Sequence, residues 1–134
     1  MIKRDDVPNE QVVKEYQQVL NHFLDDVRTK ALLDVDDSHW GVLEVKENGH
    51  TYIRERDDRE DEWMAVDGYA IMRGITLILM GDINSIDPIP MPGVDDITRA
   101  KLEDLYRAKD SSAITPVMAD RILQAATLGA IVYE

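Results

Sequence analysis

The stretch WGVLEVKENGHTYIRER, residues 40–56, decides the fold class because it has the pattern of two β-strands joined by a tight turn. Asn48 and Gly49 favour a two-residue type I′ turn, and β-favouring residues flank them on both sides. We therefore predict an antiparallel hairpin. Its expected register pairs Glu47 with His50, Val45 with Tyr52, Leu43 with Arg54, and Gly41 with Arg56.

Helical periodicity precedes the hairpin. Asn9 is suited to cap a helix, and apolar residues then recur at spacings of three and four up to about residue 30. These are Val12, Tyr16, Val19, Leu20, Phe23 and Val27. The following ALLDVDDSH, residues 31–39, is interpreted as a polar connection to the hairpin.

Residues 63–83 allow two interpretations. Asp67 could cap a helix that runs to Met80 and ends at Gly81, a residue suited to the end of a helix. Alternatively, Asp67 and Gly68 could form a second hairpin turn between EWMAV and YAIMR. We prefer a nearly buried central helix, with Tyr69, Arg73, Thr76 and Met80 on one narrow stripe.

The remainder of the chain favours two more helices. Prolines 88, 90 and 92 predict a rigid loop, after which Asp95 or Asp96 begins a helix that runs to about Lys109. Its expected inward residues are Ile97, Leu102, Leu105 and Ala108. Thr115 and Pro116 are a strong helix start, so we predict a last helix that Gly129 terminates. AIVYE, residues 130–134, is expected to add a strand to the hairpin.

These elements predict one α+β domain covering residues 1–134. It contains an N-terminal amphipathic helix, a central antiparallel hairpin or small sheet, a buried central helix and two C-terminal helices. A chain of this length buries a sizeable core without disulfides or a structural metal.

Composition and charge narrow the functional classes. The chain has no cysteine, which excludes thiol nucleophiles and cysteine-ligated zinc. Fifteen basic and 27 acidic residues give a net charge of −12, which disfavours direct binding to nucleic acids and to anionic membranes. The start MIKRDDVPNEQ lacks the apolar stretch of a signal peptide, so we expect a cytoplasmic protein.

The sharpest concentration of charge lies in RERDDREDEW, residues 54–63, at the end of the predicted hairpin. Carboxylates attract basic partners over long distances, and tryptophan is enriched at the energetic centres of interfaces. We therefore predict a partner-binding surface, although a solvated loop with both tryptophans in the core is the competing interpretation. Its expected residues are Asp57, Asp58, Glu60, Asp61, Glu62, Trp63, Asp36, Asp37 and Trp40.

Other possible sites have weaker patterns. Tyr52, Arg54 and Arg56 share one strand face and could bind an anion, although arginines in an acidic chain more often pair with nearby carboxylates. The loop DVDDSHWG, residues 34–41, does not fit a calcium-binding loop from either Asp34 or Asp36.

Metal and catalytic motifs give little support for an enzyme. Glu15, His22 and Asp26 share a stripe on the first helix, but no second element supplies an obvious further histidine ligand. No nucleophile elbow, P-loop or dinucleotide-binding motif is present. We therefore predict no catalytic residue, no metal site and no cofactor.

The function expected from these patterns is an acidic, non-enzymatic module that presents carboxylates to a basic partner protein. Inhibitors, immunity proteins and viral anti-defence proteins work in this way, some of them by mimicking nucleic acid. Two alternatives stay open: a structural subunit that forms a homo-oligomer, and a metal-dependent enzyme acting on a phosphorylated small molecule.

Overall fold

A computed structural model of the chain describes residues 10–56, 62–81 and 94–133, without the side chain of Asp37. Its elements are α1 (Glu10–Ser38), β1 (Gly41–Val45), β2 (Thr51–Glu55), β3 (Met64–Ala65), α2 (Gly68–Met80), α3 (Asp96–Ala108) and α4 (Pro116–Leu128). The strands form an antiparallel sheet in the order β1-β2-β3. The predicted α+β class is therefore confirmed. The proline-containing loop predicted at residues 82–93 lies outside the described residues.

Helix α1 is longer than predicted, because its apolar stripe continues past residue 30. Phe23, Val27, Ala31 and Val35 follow one another every four residues, and all four are fully buried. The polar connection predicted at residues 31–39 is therefore wrong. The helix ends where His39 adopts a left-handed conformation with φ of 61°, and its N–H donates to the Val35 carbonyl at 2.8 Å.

The hairpin forms, but its register differs by one residue from the prediction. Leu43 pairs with Ile53, and Val45 pairs with Thr51. Among the turn residues only Gly49 has a positive φ, 82°, so a three-residue connection replaces the expected type I′ turn. The observed register puts Leu43 and Ile53 together on the core face, whereas the predicted one would have set Leu43 beside Arg54.

Residues 62–81 contain a short strand followed by the preferred helix. Met64 and Ala65 pair with β2, which makes the sheet three-stranded. Asp67 then caps α2 by accepting a hydrogen bond from the Ala70 N–H at 2.9 Å, and Gly81 ends the helix. The preferred helix and both of its predicted end residues are therefore confirmed.

Helix α4 lies at the centre of the molecule, where it packs against both α1 and α2. Thr115 caps it and Gly129 ends it, as predicted. Its crossing with α2 is very close: a Cβ atom built on Gly74 would lie 2.1 Å from the Ile122 carbonyl oxygen. Only a residue without a side chain fits at this crossing.

Helix α3 begins and ends as predicted but buries fewer residues. Asp95 caps it, and Lys109 follows it in a left-handed conformation. Leu102 is buried and Leu105 is half-buried, whereas Ile97 is 82% exposed and Ala108 is also exposed. The inward orientation predicted for Ile97 and Ala108 is therefore wrong, because Leu102 and Leu105 mark the buried side of α3.

The C-terminal segment, residues 130–133, is irregular, and the predicted edge strand is wrong. The Gln124 side chain, 2% exposed, satisfies the backbone groups that a strand would have paired. Its Oε1 accepts from the N–H groups of Val132 and Tyr133, at 3.0 and 2.8 Å, and its Nε2 donates to the Tyr133 carbonyl at 2.8 Å. A side chain of α4, not a neighbouring strand, therefore holds the segment in place.

Candidate functional site

The acidic margin, defined as residues 57–62, is described only at its last residue. Asp57, Asp58, Glu60 and Asp61 lie outside the described residues. Glu62 is exposed to solvent. The margin therefore remains a prediction from the sequence, and the structure shows only that it joins β2 to β3.

Trp63 lies on the outer face of the sheet beside two cations. It precedes β3 and is half-buried. The Arg54 guanidinium lies 4.9 Å from the centroid of its ring, and the Lys46 ammonium lies 5.7 Å from it. Lys46 also lies 4.7 Å from the centroid of the Tyr52 ring. Cation–π attraction of this kind holds these side chains together on the outer face of the sheet, and Trp63 directly follows the acidic margin in the chain.

The predicted anion-binding set is divided between different partners. Arg56 donates to the backbone, through Nε to the His39 carbonyl at 2.7 Å and through Nη2 to the Gly41 carbonyl at 3.4 Å. Arg54 lies over Trp63, and the Tyr52 hydroxyl accepts from the Asn48 side chain at 3.0 Å. Arg56 thus anchors the start of β1, and the three side chains do not converge on one position.

Trp40 and Asp36, two further residues of the predicted surface, differ in their exposure. Trp40 is only 4% exposed and packs in the core, so its assignment to a partner-binding surface is wrong. Its indole ring stacks on Tyr133 with ring centroids 5.9 Å apart. Asp36 is exposed on α1, and the side chain of Asp37 lies outside the described part of the structure.

A buried carboxyl cluster, not predicted from the sequence, lies where α1, α4 and the C-terminal segment meet. Asp120 is 3% exposed. Its Oδ1 accepts from Trp40 Nε1 and from Gln124 Nε2, both at 2.8 Å, and its Oδ2 accepts from Ser38 Oγ at 3.2 Å. Donors from α1, from the connection between α1 and β1, and from α4 itself thus surround one carboxylate.

The carboxyl group of Asp34 completes this cluster from the last turns of α1. Its hydrogen bond with Asp120 raises the pKa of Asp34 to about 6, and desolvation and the charge of Asp120 act in the same direction. Two carboxyl groups in such contact hold one proton between them more readily than two negative charges. The cluster is therefore able to bind and release a proton just below neutral pH.

The space beside this cluster is too small for an organic substrate. Asp34, Ser38, Asp120 and Tyr133 are among the residues that line a cavity of about 20 Å³. About 10–15 Å³ is enough for one water molecule, whereas small-molecule sites enclose roughly 300–1,000 Å³. The geometry suits a proton-binding contact between helices rather than a reaction on a bound substrate.

One sequence signal could have pointed to the cluster. Asp120 and Gln124 are four residues apart in the run VMADRILQAAT, and four-residue spacing places them on the same face of a helix. Two polar residues on the apolar face of a central helix require partners. The sequence could not identify those partners, since Trp40 and Asp34 are about 80 residues away from them.

The N-terminal half of α1 presents an apolar stripe to solvent. Val12, Val13, Tyr16 and Val19 are each 49–59% exposed, and this stripe continues along the helix into the buried Phe23. The helix spans about 43 Å at 1.5 Å per residue, and its first turns reach past the core. Among the described residues, this is the largest apolar feature on a single helix that faces solvent.

The described residues contain no group of three or more histidine, aspartate or glutamate side chains placed to hold a metal ion. Glu15 and His22 are exposed on α1, and Asp26 pairs with Lys30 at 3.4 Å. Within the same described ranges, no helix is both long and apolar enough to cross a membrane.

Comparisons with protein-family models, with curated proteins and with solved structures find no match to this chain. Its function is therefore inferred from its own residues.

Proposed function

We propose that this chain is a non-enzymatic binding module that presents a carboxylate-rich surface to a basic partner protein. The observation that carries the proposal is that most of its described carboxylates face solvent, in a chain of net charge −12. An excess of negative charge on this scale attracts a basic surface from a distance and accelerates association.

The ion pairs of the described residues leave this excess in place. Four ion pairs each join neighbours within the same helix, two on α1 and two on α3: Asp25 with Arg28, Asp26 with Lys30, Asp96 with Arg99, and Glu103 with Arg107. Exposed pairs of this kind contribute little to stability, typically about 0.3–0.5 kcal/mol each. Their carboxylates stay close to solvent and available to an incoming cation.

The acidic margin is the preferred contact within this surface. Its sequence DDREDE places five carboxylates and one arginine in six positions, next to the ordered ring of Trp63. Closely spaced negative charges resemble a phosphate backbone, so a partner that normally binds nucleic acid is the class expected to recognise them. Blocking such a site would make the chain an inhibitor, an immunity protein or an anti-defence protein.

The test is a charge reversal with a matched control. One variant carries Asp57→Lys, Asp58→Lys, Asp61→Lys and Glu62→Lys. The control carries Glu44→Lys, Glu47→Lys, Asp104→Lys and Asp110→Lys, all at exposed positions outside residues 57–62. Each changes the net charge from −12 to −4, since four reversals add eight charges.

The two variants and the unmodified protein are each immobilised and exposed to a lysate of the natural host at low and then high salt. We expect a basic protein to be retained by the unmodified chain and by the control, to be lost from the margin variant, and to elute at high salt. Equal retention by all three chains would exclude the margin as the contact. Retention of no basic protein by the unmodified chain would exclude the proposal itself.

One observation favours a second candidate, an assembly subunit. The exposed stripe of α1 could pack against the same stripe of a second copy. This role also predicted an edge strand at residues 130–134. Residues 130–133 do not form a strand. Four half-exposed side chains bury less than the roughly 800 Å² per partner of a standard interface, so this contact would need further surface.

Oligomeric state distinguishes this second candidate. Light scattering after gel filtration should give a multimer that persists in high salt if the stripe mediates assembly, because apolar contacts are not screened. Replacement of Tyr16 and Val19 by serine should then yield monomers. A monomer for the unmodified chain at all concentrations tested would exclude homotypic assembly.

A further inference from the structure

We propose that Asp34 and Asp120 form a proton-dependent clasp, which holds the C-terminal end of α1 against α4 when a proton is shared and loosens when that proton is lost. This clasp is independent of the proposed partner binding. It rests on the cavity between α1 and α4 that both carboxyl groups line, and on the hydrogen bonds that Asp120 accepts there.

The two carboxyl groups come from different elements and have different surroundings. Asp120 lies on α4 and is almost fully enclosed, with Trp40, Gln124 and Ser38 donating to it. Asp34 lies on α1, is half-buried and borders the same cavity. Donors stabilise the ionised form of a carboxyl group, so the shared proton resides on Asp34, the carboxyl group that reaches the edge of the cluster.

The charged groups that face the clasp do not offset the repulsion between Asp34 and Asp120 when this proton is lost. Arg121 is the next residue on α4 and also borders the cavity, but its charge acts on Asp95 at the start of α3 as well. From the sheet, Glu55 brings a further carboxylate, which accepts a hydrogen bond from the Tyr133 hydroxyl. When Asp34 ionises, it therefore meets the charge of Asp120, with Glu55 close behind Tyr133.

Loss of the proton should change the electrostatic environment of the connection between α1 and the hairpin. Asp34 is four residues before Ser38, and only His39 and Trp40 separate α1 from β1. Ionised Asp34 reduces its repulsion from Asp120 by turning towards solvent, which removes the carboxyl–carboxyl contact between α1 and α4. Ser38 and Trp40 still donate to Asp120, and the electrostatic environment of the Trp40 N–H changes.

The sign of the effect follows from the pKa of Asp34. That pKa is raised from 3.8 to about 6 in the folded protein, so the folded chain binds more protons than the unfolded chain between these values. The contribution of the pair to stability is therefore greatest at low pH, falls as the pH rises from about 4 to about 6, and is constant above that.

The indole N–H of Trp40 is a direct probe, because it donates to Asp120 and the chain has only one other tryptophan. Its resonance is followed by two-dimensional NMR from pH 4.5 to 7.5 in the unmodified chain, in Asp34→Asn and in Asp36→Asn. Asparagine at 34 donates a hydrogen bond to Asp120 at every pH. Asp36 is exposed on the same helix, so its replacement removes one charge without touching the clasp.

We expect the Trp40 resonance to titrate near pH 6 in the unmodified chain and in Asp36→Asn, and to stay constant in Asp34→Asn. Urea midpoints should show the same contrast, with Asp34→Asn gaining stability relative to Asp36→Asn at pH 7.5 but not at pH 4.5. A Trp40 titration that persists unchanged in Asp34→Asn would assign the signal to a group other than Asp34 and overturn the proposal. A resonance that does not titrate in the unmodified chain would overturn it too.

Discussion

Replacing Gly74 by alanine should destabilise the protein strongly, because the substitution places an atom inside the close crossing of α2 and α4. The new Cβ would lie 2.1 Å from the Ile122 carbonyl oxygen and 2.9 Å from Ile122 Cγ2. Ordinary contact begins at 3.4 Å, so α2 and α4 would have to separate locally by 1.3 Å, the difference between 3.4 and 2.1. The obstructing oxygen belongs to the backbone and cannot rotate away.

The magnitude follows from two opposing contributions. Overpacking a core typically costs about 1–3 kcal/mol and occasionally more, and a clash with backbone belongs at the upper end of that range. Alanine in place of glycine inside a helix recovers about 1 kcal/mol. We expect a net loss of about 2–3 kcal/mol in the free energy of unfolding.

Gly68 is the matched control, because it lies on the same helix and undergoes the same substitution. A Cβ atom there would be 3.5 Å from Leu24 Cδ1, which is ordinary contact, and its φ is not in the left-handed region. Gly68→Ala should therefore be neutral or stabilising by up to about 1 kcal/mol, through the lower entropy of the unfolded chain.

The assay is urea unfolding of the three proteins under identical conditions. With a slope of about 1–3 kcal/mol per molar, the Gly74→Ala midpoint should fall by about 1–2 M without a change in slope. If Gly74→Ala were as stable as the unmodified protein, or if both alanine variants lost the same stability, the close α2–α4 crossing would be refuted.

Three further substitutions test other contacts. Trp40→Phe keeps an aromatic ring beside Tyr133 but removes a hydrogen-bond donor from the buried Asp120. We expect it to lower the free energy of unfolding in urea by about 1–3 kcal/mol. An unchanged urea midpoint would contradict the Trp40–Asp120 hydrogen bond. Asp67→Ala removes the cap of α2 and should cost about 1 kcal/mol by the same assay, whereas Asp67→Asn, which also caps well, should retain most of it. Gln124→Leu should accelerate hydrogen exchange at the Val132 and Tyr133 amides, measured by NMR. Amide protection equal to that of the unmodified chain would show that another group holds the C-terminal segment.

Local signals determined the ends of α2, α3 and α4, although not the end of α1. Asp67, Asp95 and Thr115 each cap the helix that the sequence predicted, and Gly81 and Gly129 end two of them. A cap is a contact within four residues, so the sequence contains both partners. The hairpin was predictable for the same reason, since its turn and its strands are adjacent in the chain.

The hairpin register and the orientation of α3 were not predictable in this way. The choice between pairing Leu43 with Ile53 or with Arg54 depends on which face of the sheet meets the helices. The exposure of Ile97 likewise depends on where α3 rests. Both are decided by contacts between segments distant in sequence, which periodicity alone does not report.

The same distinction applies to the candidate sites. The sequence by itself determined the net charge, the acidic margin and the absence of thiol chemistry, because these depend only on which residues are present. Only the tertiary structure moved Trp40 from a predicted surface into the core and brought Asp34 and Asp120 together. A composition is a property of the chain, whereas a shared proton requires two carboxyl groups, 86 residues apart in the numbering, to meet at one small cavity between α1 and α4.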